Sequence, residues 1–308
     1  MEFELLMKGP YHLTRCALTF SKLPSDGTDV WITPRETLQA EYRRLHVVED
    51  EPVLVMVQQD PEAKEGEARL IVRTHPPRPR KVSLLKERVA WQFHVDGSLE
   101  GFYRRARKHP VFAPLIQALY GVKPLRPSTV FEMAAIAISE QQISVPAAVR
   151  IRSRMVQALG RKITFEDKEY RSFPTARTLA RCTVDDLRKL SFSVRKSEYL
   201  IDLARKVSAD RFDLESLRHR PNEEVISVLT SLRGFGRWSA EYLMARGLGR
   251  TEVVAGGDLG IQNLVGKYLG PGRRASEPEL RKMMEEWGPY KRWVVFYLFC
   301  ASRLGLLD

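Results

Sequence analysis

The stretch Leu232-Arg-Gly-Phe-Gly-Arg-Trp238 decides the fold, because its composition indicates a tight turn between two helices. Residues 222–231, just before it, space their apolar side chains as one face of a helix does. The helix after it carries Trp238 and Tyr242 one turn apart. The two glycines allow positive φ and close backbone approach, and the N-terminus of the second helix offers free N–H groups to an anion. The sequence therefore predicts a helical hairpin with an anion-binding tip.

A carboxylate follows at a fixed distance beyond this hairpin, in Gly256-Gly-Asp258. Aspartate is a good N-cap and an apolar run begins at Leu259, so Asp258 alone is typical of a helix start. Beside a hairpin that can hold a phosphate, the same carboxylate indicates an enzyme that acts on DNA. The two roles can coexist, and we predict both.

Composition agrees with a polyanionic partner. The chain has 308 residues, enough for two domains, with 50 Lys and Arg against 38 Asp and Glu and a net charge of +12. The first residues are acidic and lack a long apolar core, which argues against a signal peptide. Because no apolar run approaches a membrane span either, we expect a cytoplasmic, nucleoid-associated protein.

Four further segments follow one pattern together with the hairpin and Asp258. They are Ser98–Tyr103, His109–Pro114, Phe131–Val145 and Arg195–Ala204. In this order they resemble the helix-hairpin-helix superfamily of DNA glycosylases, and within it the 3-methyladenine DNA glycosylase II branch. The hairpin alone is only moderately specific, but hairpin, aspartate and Gln-Gln-Ile-Ser together are typical of the family. The resemblance covers nearly the whole chain and implies base excision repair of double-stranded DNA by a monomer.

The resemblance implies an α+β fold. Residues 1–97 would form a small antiparallel sheet domain with a helix, in which we see no chemistry. Five segments there alternate or are rich in β-branched residues, which predicts strands at Phe3–Met7, His12–Phe20, Pro52–Gln58, Ala68–Val72 and Val89–Val95. Thr33–Arg44 is predicted as an extended turn region or a strand, and residues 84–88 as a short helix.

Residues 98–308 would form the mainly α-helical, two-lobed helix-hairpin-helix domain. Caps are frequent, as in the capping box of Thr129 with Glu132, and roughly nine or ten helices are expected. The lobes would be 128–250 and the two flanks, 98–127 and 251–308. The cleft between them would expose the hairpin and Asp258.

By this resemblance Asp258 is the catalytic residue. Breaking the bond between a base and its sugar builds positive charge on the deoxyribose, which a fixed carboxylate stabilises. Family members that also cut the strand carry a lysine after Gly-Phe-Gly-Arg, where it forms a Schiff base. Trp238 occupies that position here. The expected enzyme is therefore a monofunctional glycosylase that releases alkylated purines such as 3-methyladenine and leaves an abasic site.

The flipped base needs an aromatic pocket. The resemblance assigns it to Trp238 and Tyr242 on the hairpin and to Phe299 and Tyr297 on the last helix. Electron-rich rings favour a cationic base through cation–π attraction. Leu259 stands where the family often has an aromatic residue, and this departure leaves the range of alkylated substrates open.

The remaining DNA contacts are also assigned by resemblance. Gln141 or Gln142 would enter the gap left by the flipped base. Backbone N–H groups of Gly234, Gly236 and Ser239 would bind phosphates. Backbone carbonyls of Thr230, Leu232 and Phe235 would hold a structural Na+ or K+. No other cofactor is expected, because the histidines are scattered and the three cysteines, Cys16, Cys182 and Cys300, cannot supply a four-cysteine iron–sulfur cluster.

Two other functions remain open at this point. One is a glycosylase for deaminated or oxidised bases, such as hypoxanthine or 8-oxoguanine, although the absent lysine weakens the 8-oxoguanine version. The other is a non-catalytic protein that binds DNA through the hairpin alone. A dinucleotide enzyme is disfavoured, because Gly234-Phe-Gly236 lacks a third glycine and lies between helices.

Overall fold

The computed structural model describes residues 1–33, 39–63 and 67–307, and it begins with a five-stranded antiparallel sheet. The strands are β1 Glu2–Met7, β2 Asp29–Ile32, β3 Glu41–Val48, β4 Glu51–Gln59 and β5 Ala68–His75. Their spatial order is β1-β5-β4-β3-β2. The register aligns one apolar row across the sheet: Phe3, Val72, Val57, Tyr42 and Trp31. The α+β fold class is thereby confirmed.

Two helices accompany the sheet, α1 Leu13–Phe20 and α2 Val82–Phe93. The strand predictions for His12–Phe20 and Val89–Val95 are therefore wrong, whereas the helix at 84–88 is confirmed as part of α2. The buried positions recur at helical intervals of three and four: Leu13, Cys16 and Ala17 in α1, and Leu85, Val89, Gln92 and Phe93 in α2. Of the segment Thr33–Arg44, residues 34–38 lie outside the described residues and Glu41–Arg44 belong to β3.

From Ser98 onward the described chain contains twelve α-helices, more than the roughly nine or ten expected from the caps. They are α3 Glu100–Ala106, α4 Phe112–Ala118, α5 Val130–Glu140, α6 Val145–Leu159, α7 Ala176–Ala180, α8 Val184–Lys189, α9 Val194–Ser208, α10 Asn222–Thr230, α11 Arg237–Arg246, α12 Leu259–Tyr268, α13 Glu277–Glu285 and α14 Lys291–Leu304. Two 3-10 turns, Glu215–His219 and Gly288–Tyr290, link helices. None of the described helices is long and apolar enough to cross a membrane.

A two-stranded hairpin, which the sequence analysis did not predict, interrupts the helices of this mainly helical part. It pairs β6 Lys162–Phe165 with β7 Lys168–Arg171. The turn residues Glu166 and Asp167 both have positive φ, 49° and 58°. Two-residue turns of this kind are usually recognised in a sequence by Asn-Gly or Asp-Gly, and this turn has neither dipeptide.

Two large hydrophobic clusters form most of the described interior, and a small third one contains Leu45, Leu54 and Tyr170. One large cluster contains buried residues from Val130 to Leu248. The other large cluster joins the sheet domain to residues 99–122 and 254–301. Tyr242 packs against both large clusters, so α11 lies at their seam. The cleft that carries the chemistry is expected along this seam.

A buried ion pair ties the sheet to the first long helix of the helical part. Arg44 on β3 contacts Glu132 on α5 at 2.6 Å, and both side chains are almost fully buried. Arg44 also contacts Asp29 at 2.6 Å. The predicted capping box is therefore only half formed: Thr129 accepts the N–H of Glu132, but the Glu132 carboxylate binds Arg44 and the N–H of Ser128 instead. Breaking such a pair would leave an uncompensated buried charge.

Candidate active site

The predicted helical hairpin is present, with α10 ending at Thr230 and α11 beginning at Arg237. Gly234 has a φ of 88°, and a Cβ there would lie 2.3 Å from the ring of Tyr199. Glycine is required at 234 by both its left-handed backbone and this close contact. Gly236 is exposed, and no described atom outside its immediate chain neighbours lies within 4 Å of the place a Cβ would occupy. The tip of the hairpin is therefore open to solvent.

The N-terminus of α11 has no side-chain cap, because its N-cap is Gly236. The first N–H bonded to the N-cap carbonyl is that of Ala240. The N–H groups of the preceding turn, up to Ser239, have no acceptor within the helix. An anion bound there would satisfy them and interact favourably with the helix dipole.

Asp258 is the N-cap of α12, as the sequence predicts. Its Oδ1 accepts the N–H of Ile261 at 3.0 Å. Its Oδ2 accepts the indole N–H of Trp238, also at 3.0 Å. Each carboxylate oxygen is thus held by one donor, and the half-buried side chain keeps further lone pairs for a ligand.

Trp238 and Tyr242 form one aromatic surface next to Asp258. Their rings stack with centroids 5.0 Å apart and planes 13° apart. The Tyr242 hydroxyl donates to Glu140, and burial raises the pKa of Tyr242, so this hydroxyl remains a donor. Arg246, one turn further along α11, donates to the same hydroxyl and lies 5.1 Å from the ring centroid. This face of Tyr242 therefore already accommodates a cation.

A chain of polar contacts extends from the Tyr242 hydroxyl to the sheet domain. The sequence analysis did not predict these contacts. Glu140 is buried and accepts from Arg152 at 2.9 Å. Arg152 in turn contacts Asp26, in the segment between α1 and β2, at 3.3 Å. The signal that could have pointed to this network is Glu140 itself, a carboxylate at the end of a mainly apolar, fully buried helix.

Phe299 and Tyr297 on α14 have different surroundings. Phe299 is half-buried, and its ring lies 3.4 Å from the place a Cβ on Gly260 would occupy, beside Asp258. Tyr297 is completely buried, and its hydroxyl bonds to Tyr103 and the Val122 carbonyl. The prediction that Tyr297 lines the pocket is therefore wrong. Residues two apart on a helix point to different sides, so only one of the pair can face the cleft.

The loop between α5 and α6 separates the two glutamines predicted as wedges. Gln141 donates to the carbonyl of Gly234 at 2.7 Å and to the hydroxyl of Ser239 at 3.0 Å, which ties this loop to the hairpin. Gln142 is exposed and has a φ of 56°. Ser144 caps α6 through the N–H of Ala147. Of the two, Gln142 has the side chain that can reach out of the surface.

The carbonyls of Thr230, Leu232 and Phe235, predicted to hold a structural cation, belong to the end of α10 and the turn before α11. The Leu232 carbonyl accepts the N–H of Phe235 at 3.0 Å, which leaves its second lone pair for a cation. Within the described ranges, no three His, Cys, Asp or Glu side chains are grouped to hold a metal ion. The three cysteines are buried and unpaired.

Known DNA repair proteins resemble this chain in sequence and in fold. Residues 135–290 match the family described as HhH-GPD superfamily base excision DNA repair protein. The chain is 27% identical to a DNA-3-methyladenine glycosylase of Bacillus subtilis over 207 residues, which is 67% of this chain and 68% of the relative. The structure resembles the 3-methyladenine DNA-glycosylase from Archaeoglobus fulgidus with a TM-score of 0.81 and 26% identity, over 98% of both chains. A 3-methyladenine DNA glycosylase of Schizosaccharomyces pombe in complex with abasic DNA gives a TM-score of 0.53 at 25% identity, over 64% of this chain and 94% of the other.

Proposed function

Because the chain belongs to the HhH-GPD superfamily of base excision DNA repair proteins, we propose that it is a monofunctional DNA glycosylase for alkylated purines. It acts on double-stranded DNA, flips the damaged nucleotide out of the stack and hydrolyses the N-glycosidic bond. The representative substrate is 3-methyladenine, after which the Bacillus subtilis and Archaeoglobus fulgidus relatives are named. The product is an abasic site in an intact strand.

The observation that carries this proposal is the 3.0 Å hydrogen bond from the Trp238 indole to the Asp258 carboxylate. It places an aromatic ring directly beside the candidate catalytic acid. The position at which strand-cutting relatives carry a lysine thus orients the carboxylate and offers no amine for a Schiff base. Hydrolysis without strand cleavage is the chemistry that this pair supports.

The chemical step needs one carboxylate and one water. As the bond between the base and C1′ breaks, its electron pair leaves with the base and positive charge builds on the deoxyribose. The Asp258 carboxylate stabilises that charge. Water then bonds to C1′ and releases a proton to Asp258 or to solvent. An alkylated purine is already cationic and departs as a neutral base, so no second acid is required.

The pocket favours a cationic base through its aromatic rings. Trp238, Tyr242 and Phe299 offer electron-rich rings within reach of Asp258. The Glu140 carboxylate at the Tyr242 hydroxyl is already paired with Arg152 at 2.9 Å and adds no free charge. A neutral normal purine gains only stacking from the same rings.

The hairpin and the loop between α5 and α6 provide the contacts to DNA. The open N-terminus of α11 binds a backbone phosphate, supported by a Na+ or K+ on the carbonyls beneath it. Gln142 fills the gap left by the flipped base. The enzyme works as a monomer on nucleoid DNA in the cytoplasm.

The test is base release from a duplex treated with a methylating agent, comparing the wild type with Asp258→Asn and following strand integrity. Released methylpurines with intact strands, lost in the variant, are the expected result. Release of hypoxanthine, uracil or 8-oxoguanine without methylpurines would replace the proposed substrate class. DNA binding with no release of any base would mean that the chain only binds.

A further inference from the structure

Glu241 lies on α11 between the aromatic face and α13, and it is almost fully buried. It does not face the cleft as Trp238 and Tyr242 do. Its carboxylate instead makes four polar contacts, none of which the proposed reaction uses directly. Burying a charged group costs free energy unless the group is paired and hydrogen-bonded. The four contacts of Glu241 meet this requirement, and their partners indicate its role.

Glu241 binds the loop that carries Asp258. Its Oε2 accepts the N–H of Gly256 at 3.1 Å. From the other side, the amide of Gln262 on α12 donates to the Gly256 carbonyl at 2.9 Å. The same loop is closed by the Asp258 N–H on the Ala255 carbonyl at 3.0 Å. The backbone two residues before the catalytic acid is therefore held at both polar groups of Gly256.

Two arginines compensate the charge of Glu241. Arg237 approaches its Oε1 at 2.9 Å, and Arg281 on α13 approaches the two oxygens at 2.9 and 3.0 Å. Arg281 also pairs with Glu277 at 2.6 Å. Burial opposes the charge of Arg281, but Glu277 and Glu241 together raise its pKa above the ordinary value. The two guanidinium groups lie against the two carboxylates, and these contacts hold the Glu241 side chain in place.

The contact between Arg281 and Glu241 depends on a glycine at position 256. A Cβ at 256 would lie 2.6 to 2.8 Å from three atoms of the Arg281 guanidinium. Any other residue would push the guanidinium away from Glu241. Side chains from α11, α12 and α13 thus converge on one residue, Gly256.

We propose that Glu241 is a positioning residue that fixes the Asp258 carboxylate through Gly256. The inference rests on the proposed glycosylase function for its catalytic consequence, but the restraint on the loop is independent of it. A misplacement of about 1 Å can cost about 100-fold in rate, because stabilisation of a developing charge depends steeply on geometry. Trp238 holds one carboxylate oxygen, and Glu241 holds the backbone from which that carboxylate projects.

The first test measures single-turnover base release from methylated duplex and affinity for a duplex with an uncleavable abasic-site analogue. Glu241→Ala is expected to slow release about 100-fold, and Glu241→Gln, which keeps an acceptor for Gly256, about 10-fold. Affinity for the analogue stays within about twofold in both, because the hairpin is not altered. The control is Glu224→Gln, an exposed carboxylate on α10, which changes neither quantity. Unaltered release by Glu241→Ala would overturn the proposal.

A double variant separates positioning from general loss of structure. If Glu241 acts only through Asp258, adding Glu241→Ala to Asp258→Asn changes the residual rate by less than about twofold. Full additivity of the two losses would overturn the proposal. Amide hydrogen exchange across residues 254–258 needs no substrate and is expected to speed up in Glu241→Ala. Faster exchange in Glu241→Ala, combined with a wild type that releases no base, would therefore refute the glycosylase and keep the restraint. Unchanged exchange in Glu241→Ala would refute the restraint.

Discussion

The N-termini of α11 and α12 are joined by the hydrogen bond from Trp238 to Asp258 and are built in opposite ways. At the start of α11 the N-cap is Gly236, which offers no side chain and leaves the first-turn N–H groups open. At the start of α12 the N-cap is Asp258, whose own carboxylate accepts the N–H of Ile261. Both ends carry the positive pole of a helix dipole, so both favour negative charge. One is left open for a charge from outside, and the other is filled by a charge from the chain.

The difference separates binding from chemistry. A phosphate can settle on α11 because nothing of the protein competes for its N–H groups. The carboxylate on α12 is held in one orientation by the N–H groups of Ile261 and Trp238, which suits a group that must meet a developing positive charge. Each end is also braced: Gln141 holds the tip beside α11, and Glu241 holds the loop before α12. Substitutions that remove the Asp258 carboxylate, place a carboxylate at Gly236 or remove the Gln141 contacts test these separate roles.

The largest effect is expected at the filled end. Asp258→Asn should lower the rate of base release about 1000-fold, because the charge that stabilises the sugar cation is lost. Asparagine still caps the helix, so the free energy of unfolding should hardly change. Asp258→Ala should lose the same activity and also about 1 kcal/mol of stability, which a thermal melt detects. Equal melting temperatures for the two variants would show that Asp258 does not cap α12 in solution.

The next effect is expected when the open end is filled. Gly236→Asp would give α11 a carboxylate cap like that of α12, and its extended backbone and empty surroundings accept a side chain. DNA affinity should fall about 10-fold, about 1.4 kcal/mol, because the cap competes with the phosphate and repels it. Equilibrium binding to undamaged duplex at low salt measures this. Gly236→Asn is the neutral control and should bind more tightly than Gly236→Asp; identical affinities would remove charge as the cause.

Smaller effects are expected from loosening the open end. Gln141→Ala removes two hydrogen bonds to the hairpin and should cost about 1 to 2 kcal/mol of stability. Gln142→Ala touches neither bond and should leave the melting temperature unchanged, while slowing base release a few-fold through loss of the wedge. Thermal melts and single-turnover assays on both variants distinguish them. The reverse assignment, with stability lost only in Gln142→Ala, would contradict the roles given to the two glutamines.

The pattern of short motifs predicted the site better than it predicted the sheet domain. The hairpin, the Asp258 cap and the Trp238–Tyr242 stack depend on neighbours within a few residues or one helical turn. The sequence wrongly predicts strands over α1 and the C-terminal part of α2, because β-branched and aromatic residues in short segments suit either structure until their burial is known. The β6–β7 hairpin was missed because its turn lacks the usual residues.

Contacts across long stretches of chain could not be found in this way. Tyr297 and Phe299 are equally aromatic and two residues apart, and only packing against Tyr103 decides which one is buried. Gln141 and Gln142 are identical side chains, and only the position of the hairpin decides which is tethered. Asp26 gave no sign of reaching Arg152, because the two residues are 126 positions apart.

The sequence by itself determined the hairpin and the capping aspartate, because local backbone geometry and helix periodicity specify these. The resemblance to the glycosylase family added that Trp238 stands where strand-cutting members carry a lysine. Only the tertiary structure decided which donors hold the Asp258 carboxylate, that Glu241 and Gln262 grip Gly256 between them, and that the sheet domain contacts the network behind Tyr242. The physical reason is the separation along the chain between the interacting groups. The polar groups of caps and turns find partners a few residues away, whereas a buried charge is paired with whichever distant residue the packed fold places beside it.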